Sequence, residues 1–83
     1  MTDSAFNMLA LVEHLAKAVV EAPGEVTVEA FEEDGQTVLE LIVAESDLGR
    51  IIGRQGRMAR SLRTIVNAAS LRTRKRFQLE IVG

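Results

Sequence analysis

The chain of 83 residues has no cysteine, no tryptophan and no tyrosine, and it has one proline and one histidine. Without cysteine there is neither a disulfide framework nor a thiolate zinc site, and one imidazole cannot assemble a metal cluster alone. His14 has no serine, cysteine or second histidine in a recognisable arrangement, so nucleophilic catalysis has no starting point. Three phenylalanines are the only aromatic residues. Stacking of bases on aromatic platforms is therefore excluded as the main mode of nucleic-acid binding. No apolar run approaches the ~18 residues of a membrane span. "MTDSAFNML" places no basic segment before an apolar one, so a cytoplasmic location is expected. A P-loop signature is missing, and Glu32, Glu33 and Asp34 do not follow an EF-hand pattern. An enzyme is not expected, nor is a cofactor or a metal.

What is present is a marked division of charge. Residues 1 to 47 carry eleven Asp or Glu and only Lys17, for −10, while residues 48 to 83 carry eight Arg and Lys75 against Glu80, for +8; together these give the net −2. Such asymmetry points to an anion-binding half joined to an acidic half. The length suits one small domain over residues 1–83, with a radius of gyration of roughly 12 Å.

Hydrophobic spacing supplies the elements. From Ser4 to about Glu21, the residues Met8, Leu11, Val12, Leu15, Val19 and Val20 recur at helical spacing, and "APG" at Ala22 to Gly24 stops the helix. "EVTVEAFE" then alternates with Val26, Val28 and Ala30 on one side, Glu33 to Gly35 form a turn, and "QTVLELIVA" alternates through Leu39, Leu41 and Val43. Ser46 is expected to cap a short helix from Asp47 to about Ile52, ended by Gly53. A longer helix from Arg57 to about Leu71 carries the apolar stripe Met58, Leu62, Ile65, Val66 and Ala69. "RFQLEIV" closes the pattern as a third strand with Phe77, Leu79 and Ile81 inward. The expected class is α+β, in the order αββααβ.

Between the last two helices lies "IIGRQGR", Ile51 to Arg57. Gly56 stands just before a helix N-terminus, where unpaired N–H groups and the helix dipole favour an anion such as phosphate. Without Cβ atoms at Gly53 and Gly56, a sugar-phosphate backbone can reach the loop while Arg54 and Gln55 offer donors beside it. A helix-turn-helix corner also calls for glycine, so the tetrapeptide by itself does not choose between the two.

"IIGRQG", with a strand and short helix before it and a longer helix after it, resembles the I-G-x-x-G core of a KH domain, whose GXXG loop clamps about four nucleotides of single-stranded RNA. The αββααβ order resembles the type II arrangement. "DLGRIIGRQGR", Asp47 to Arg57, followed by "SLRTIV", Ser61 to Val66, is similar to the small bacterial single-KH proteins of the KhpA family, over nearly the whole chain. One departure stands out: Ala59 occupies the place of a large aliphatic residue three positions after the second glycine. The resemblance implies a three-stranded sheet with helices on one face. It implies that Gly53 and Gly56 admit the RNA backbone, that Arg54 and Gln55 contact phosphates or sugars, and that Ile52 with Leu48 or Met58 floors a narrow groove. Arg50, Arg57 and Arg60 would extend the positive rim, as would Arg74 and Lys75 in the "RTRKR" connection. It further implies a post-transcriptional regulator or RNA chaperone that forms homodimers and a heteromer with a KhpB/Jag-type KH protein.

A reading from another class competes with this one. Val38, Ile42 and Val82 fall on the strand faces opposite the inward set, and Ala59, Ser61, Ala68 and Ser70 flank the long helix's stripe as small residues that permit close approach. Either surface suits a protein-interaction module in which RNA binding is secondary.

Overall fold

The computed structural model describes residues 4–83, apart from the side chains of residues 4–6, 54, 55 and 73. Helix α1, Ser4–Val19, buries Met8, Val12 and Ala16, one residue per turn along a single stripe. Leu9, Leu15 and Val20 pack beside that stripe, whereas Leu11 and Val19, expected inside, remain exposed. A helix laid on one layer covers a stripe rather than half of its circumference. After α1 the chain makes a 3₁₀ turn, Pro23–Glu25, which the sequence reading did not foresee. Proline fits its first position because the N–H it lacks would have no partner there.

Strands β1, Thr27–Glu33, and β2, Gln36–Ile42, pair antiparallel from Thr27↔Ile42 to Glu33↔Gln36. Asp34 and Gly35 join them with φ of 53° and 79°, both left-handed, as a two-residue type I′ hairpin requires. Strand β3, Phe77–Val82, lies parallel to β2 on its other side, giving the sheet order β1-β2-β3. Parallel neighbours need a long crossover, and helix α2, Glu45–Thr73, supplies it. The radius of gyration is 12.3 Å.

Val28, Leu39, Leu41, Phe77 and Leu79 meet α1 and α2 on one face of the sheet. Leu39, Leu41 and Ile51 are wholly buried, and each such side chain contributes about 1.5–3 kcal/mol. Ala30 faces the same way, opposite Leu39, but stays exposed. Val38 lies on the other face, as its alternation indicates, yet it is fully covered rather than available. Its registered neighbours are Phe31 and Gln78, and Gln78 accepts a 2.9 Å hydrogen bond from Gln36 beside it.

Helix α2 departs from expectation in three ways. It begins at Glu45 with Ala44 as its cap residue, so Ser46 lies in the first turn and does not cap it. Gly53 does not end it; the helical run continues to Gly56, whose φ of 68° is left-handed and divides the run into arms of residues 45–55 and 57–73. Counted as two helices, these arms complete the αββααβ order. Its far end lies at Thr73, with Arg74 in the left-handed conformation at φ 59°, so Arg72 belongs to the last helical turn rather than to the connection.

Asp47 anchors the first arm. Its carboxylate is buried and accepts the backbone N–H groups of Glu21 and Ala22, each at 3.0 Å. The segment after α1 is thereby tied to the first turn of α2.

Three outcomes follow. Gly56→Ala should cost about 1–2 kcal/mol in urea denaturation, because an L side chain is strained in the left-handed region. Gly53→Ala should be neutral or stabilising by up to ~1 kcal/mol, since that position is helical and nothing lies within 4 Å of an added Cβ. Asp47→Ala should lower stability by about 2–4 kcal/mol in the same assay, because two N–H groups lose a charged acceptor.

Candidate nucleic-acid interface

Helical spacing sorts the residues around the break. Ile51 is wholly buried, while its neighbour Ile52 is 49 % exposed on the outer side of the same arm. An exposed β-branched residue thus stands directly before Gly53. Leu48, the other residue expected to floor the groove on this arm, is committed elsewhere: it packs on the core, and a Cβ placed on Gly83 would meet its side chain at 2.7 Å. Met58 is partly buried against the core, and Ala59 is buried within it. A large side chain at position 59 would have to be accommodated inside the protein.

Around Gly53 and Gly56 the space is open: beyond the adjoining chain and the helix's own backbone, nothing lies within 4 Å of a Cβ built on either. No internal packing demands glycine here; only Gly56 needs it, for its backbone angle. The Cα atoms of Gly53 and Gly56 are therefore approachable from the side where a Cβ would stand. The side chains of Arg54 and Gln55 lie outside the described residues.

The charged rim is less uniform than the sequence suggests. Arg50 is half-exposed but engaged, with its guanidinium 2.9 Å from the Glu21 carboxylate and 3.8 Å from that of Asp47. It braces the first arm against the segment after α1 rather than standing ready for a ligand. Arg57 and Arg60 are exposed and line a shallow depression on the second arm together with Ser61, Thr64 and Ile65. Arg74 and Lys75 do not join them. Seventeen residues of helical rise place Arg74 roughly 25 Å from Arg57 along the second arm.

At that distant end the structure forms a cleft the sequence reading did not name, between the second arm and β3. One part, about 370 Å³, is lined by Arg63, Val66, Asn67, Phe77 and Leu79 among others. A second part, about 750 Å³, shares Gln36, Asn67 and Phe77 with the first and is rimmed by Arg74, Lys75 and Arg76 beside Leu71. The parallel pairing of β3 brings "RTRKR" and the second arm together across it, and a linear pattern carries no signal of that pairing. The structure thus offers a glycine break with an exposed isoleucine and arginines, and a separate basic cleft farther along the same helix.

Among the described residues no three His, Cys, Asp or Glu are grouped to hold a metal, and no helix is long and apolar enough to cross a membrane.

Comparison with known proteins bears directly on this geometry. A family model described as KhpA/KhpB, KH domain, matches residues 10–81, which include the glycine break and all three strands up to Ile81. The RNA-binding protein KhpA of Borreliella burgdorferi is 43% identical over 76 residues, covering 92% of this chain and 93% of the relative. That of Treponema pallidum is 43% identical over 72 residues, covering 87% and 90%. The Bacillus subtilis protein of the same name is 38% identical over 81 residues, 98% of each chain. No solved structure matches the chain. A break built on Gly53 and Gly56, an αββααβ order and similarity along nearly the whole length agree: the chain belongs to the KhpA/KhpB family of KH domains, which is not a family of enzymes.

Proposed function

We propose that this chain, acting as a single KH domain, binds short single-stranded RNA at the Gly53–Gly56 break and serves as a post-transcriptional regulator or RNA chaperone. One observation carries the reading: the backbone at Gly53 and Gly56 faces open space beside exposed Ile52 and Arg57, in a family whose relatives bear the name RNA-binding protein. In this reading the sugar-phosphate strand approaches the glycines, Arg54 and Gln55 supply donors to it, and Arg57 and Arg60 add positive charge. Ile52 offers an aliphatic surface to a base. Contacts to phosphate fix the strand's position while the apolar surface and backbone groups meet the bases. The basic cleft at Arg74 and Lys75 would take the strand where it leaves the break.

Replacing Arg54 and Gln55 together by Asp places two negative charges against the phosphates. Binding of a short unstructured RNA should fall at least tenfold, about 1.4 kcal/mol, with the melting temperature nearly unchanged. The parent should prefer that strand to a matched duplex at equal salt, because paired bases in an A-form helix are closed to a narrow groove. A folded variant that binds like the parent removes the break from the site, and equal affinity for the duplex replaces the groove by a general basic patch.

Self-association is the companion reading, favoured by Ile65. This residue, set on the core stripe by its spacing, is 39 % exposed in the depression that also contains Ser61 and Thr64. A second copy, or a KhpB/Jag-type KH protein, laid along the same helix face would cover it, and exposed Ala68 would allow close approach. Sedimentation over roughly 1–100 µM, corresponding to about 8 to 5 kcal/mol of association, should show the parent dimerising and Ala68→Glu remaining monomeric and folded. A parent that stays monomeric throughout removes the homodimer.

A further inference from the structure

Both helices pack on one side of the sheet, and no element of the described chain covers the other. On that uncovered face the strand register brings three glutamates into one line: Glu29 of β1 lies opposite Glu40 of β2, which lies beside Glu80 of β3. No ion pair or side-chain hydrogen bond among the described residues involves any of the three. Like charges on neighbouring strands repel, so the row lowers stability as it stands. The rows on either side carry apolar residues. Phe31 lies to one side, next to the covered Val38, and Ile42 and Val82 lie to the other; Phe31 is 43 % exposed and Val82 37 %. An acidic line between two apolar margins is chemistry suited to a basic, partly apolar partner, and it repels RNA phosphates.

Spacing narrows the partner further. Neighbouring strands lie ~4.8 Å apart, so the three carboxylates span about 10 Å across the sheet. On a helix, positions i, i+4 and i+7 share one face and also span about 10 Å along the axis. Flanking rows of the sheet stand about 7 Å to either side, just outside the ~5–6 Å radius of such a helix, where its marginal side chains meet them.

We propose that the outer sheet face docks a basic amphipathic helix of a partner protein, laid across the strands. Its Lys or Arg residues at i, i+4 and i+7 pair with Glu29, Glu40 and Glu80, and its apolar margins rest on Phe31 and Val82. Because this face lies opposite the helices, partner and RNA are accommodated together, the acidic sheet face recruiting protein while the glycine break holds nucleic acid.

The test is an NMR titration of the isotope-labelled full chain with a 16-residue alanine-rich helical peptide carrying three lysines at i, i+4 and i+7 between leucines. A peptide of the same composition with the lysines spread around the helix is the control. Amide shifts should cluster at Glu29, Phe31, Glu40, Glu80 and Val82. The double variant Glu40→Gln and Glu80→Gln should lose at least tenfold in peptide affinity. That variant should be no less stable, since it relieves repulsion, and its affinity for RNA should change less than twofold. The proposal is overturned if neither peptide binds, if the control binds as well, or if the glutamine variant binds like the parent. Shifts centred on Glu13, the 32–34 turn or the Gly53–Gly56 break would overturn it too. Apart from that RNA control, none of these readouts requires the chain to bind RNA, so the failure of either reading is visible separately.

Discussion

The carboxylate of Asp47 sits where water does not reach, and a buried charge is tolerated only when it is fully bonded. It is met by two backbone N–H groups from the segment after α1 and flanked by the Arg50 guanidinium, which in turn reaches Glu21. These contacts settle where α2 starts and how its first arm leans on the end of α1. The rest of the arm inherits that placement: Ile51 points into the core, Ile52 points out, and the run reaches Gly56 at a defined angle. Gly56 then turns the chain in a conformation that other residues enter only with strain. The turn at Gly56 is thus held by interactions made one to three turns earlier, away from the break itself.

The same constraint explains why arginines close in sequence differ in what they can do. Arg50 and Arg57 are seven residues apart and belong to one motif, yet Arg50 is held between two carboxylates while Arg57 stands exposed beyond the break. Charge counted along the chain is blind to this. Folding also sorts the acidic half, committing Asp47 to the interior, Glu32 to the buried hydroxyl of Thr37 and Glu21 to Arg50. Glu29 and Glu40 remain on the open sheet face, where Glu80 from the basic half joins them.

Elements with one clean period were legible from the residues. Strand alternation placed Leu39, Leu41, Phe77 and Leu79 inside, and the glycine spacing located the break. Errors came where the answer depended on a neighbour in space. Ile65 has core spacing but lies at the margin of the face that α2 turns to the sheet, so it stays exposed. Val38 alternates outward and is nonetheless covered, because Phe31 and Gln78 flank it across the strands. Ser46 is a good capping residue, but Asp47 set the start of the helix and left Ser46 one position inside. Of the residues expected at the site, Ile52 and Arg57 are exposed beside the break, Arg50 is held back, and Arg74 and Lys75 stand at a cleft of their own. Neither the pairing of Arg50 nor the length of the second arm has a local signature.

The proposed RNA role and the proposed self-association meet in one physical argument. On the proposed reading, a break that meets about four nucleotides would make few phosphate contacts, so the counterion release that drives binding would be small. The molecule's net charge of −2 gives no general attraction to help it, and the acidic sheet face opposes approach from that side. Affinity must then come from position rather than from charge: a preformed backbone at Gly53 to Gly56, and the joining of sites on one strand. Two copies paired along the second arm would hold their breaks at a fixed separation, and an RNA caught by the first would meet the second at an effective concentration far above that in solution. Weak single sites also release quickly. On the proposed reading, a small acidic protein paired in this way would engage RNAs briefly, and the length of RNA able to span two breaks would set which of them it retains.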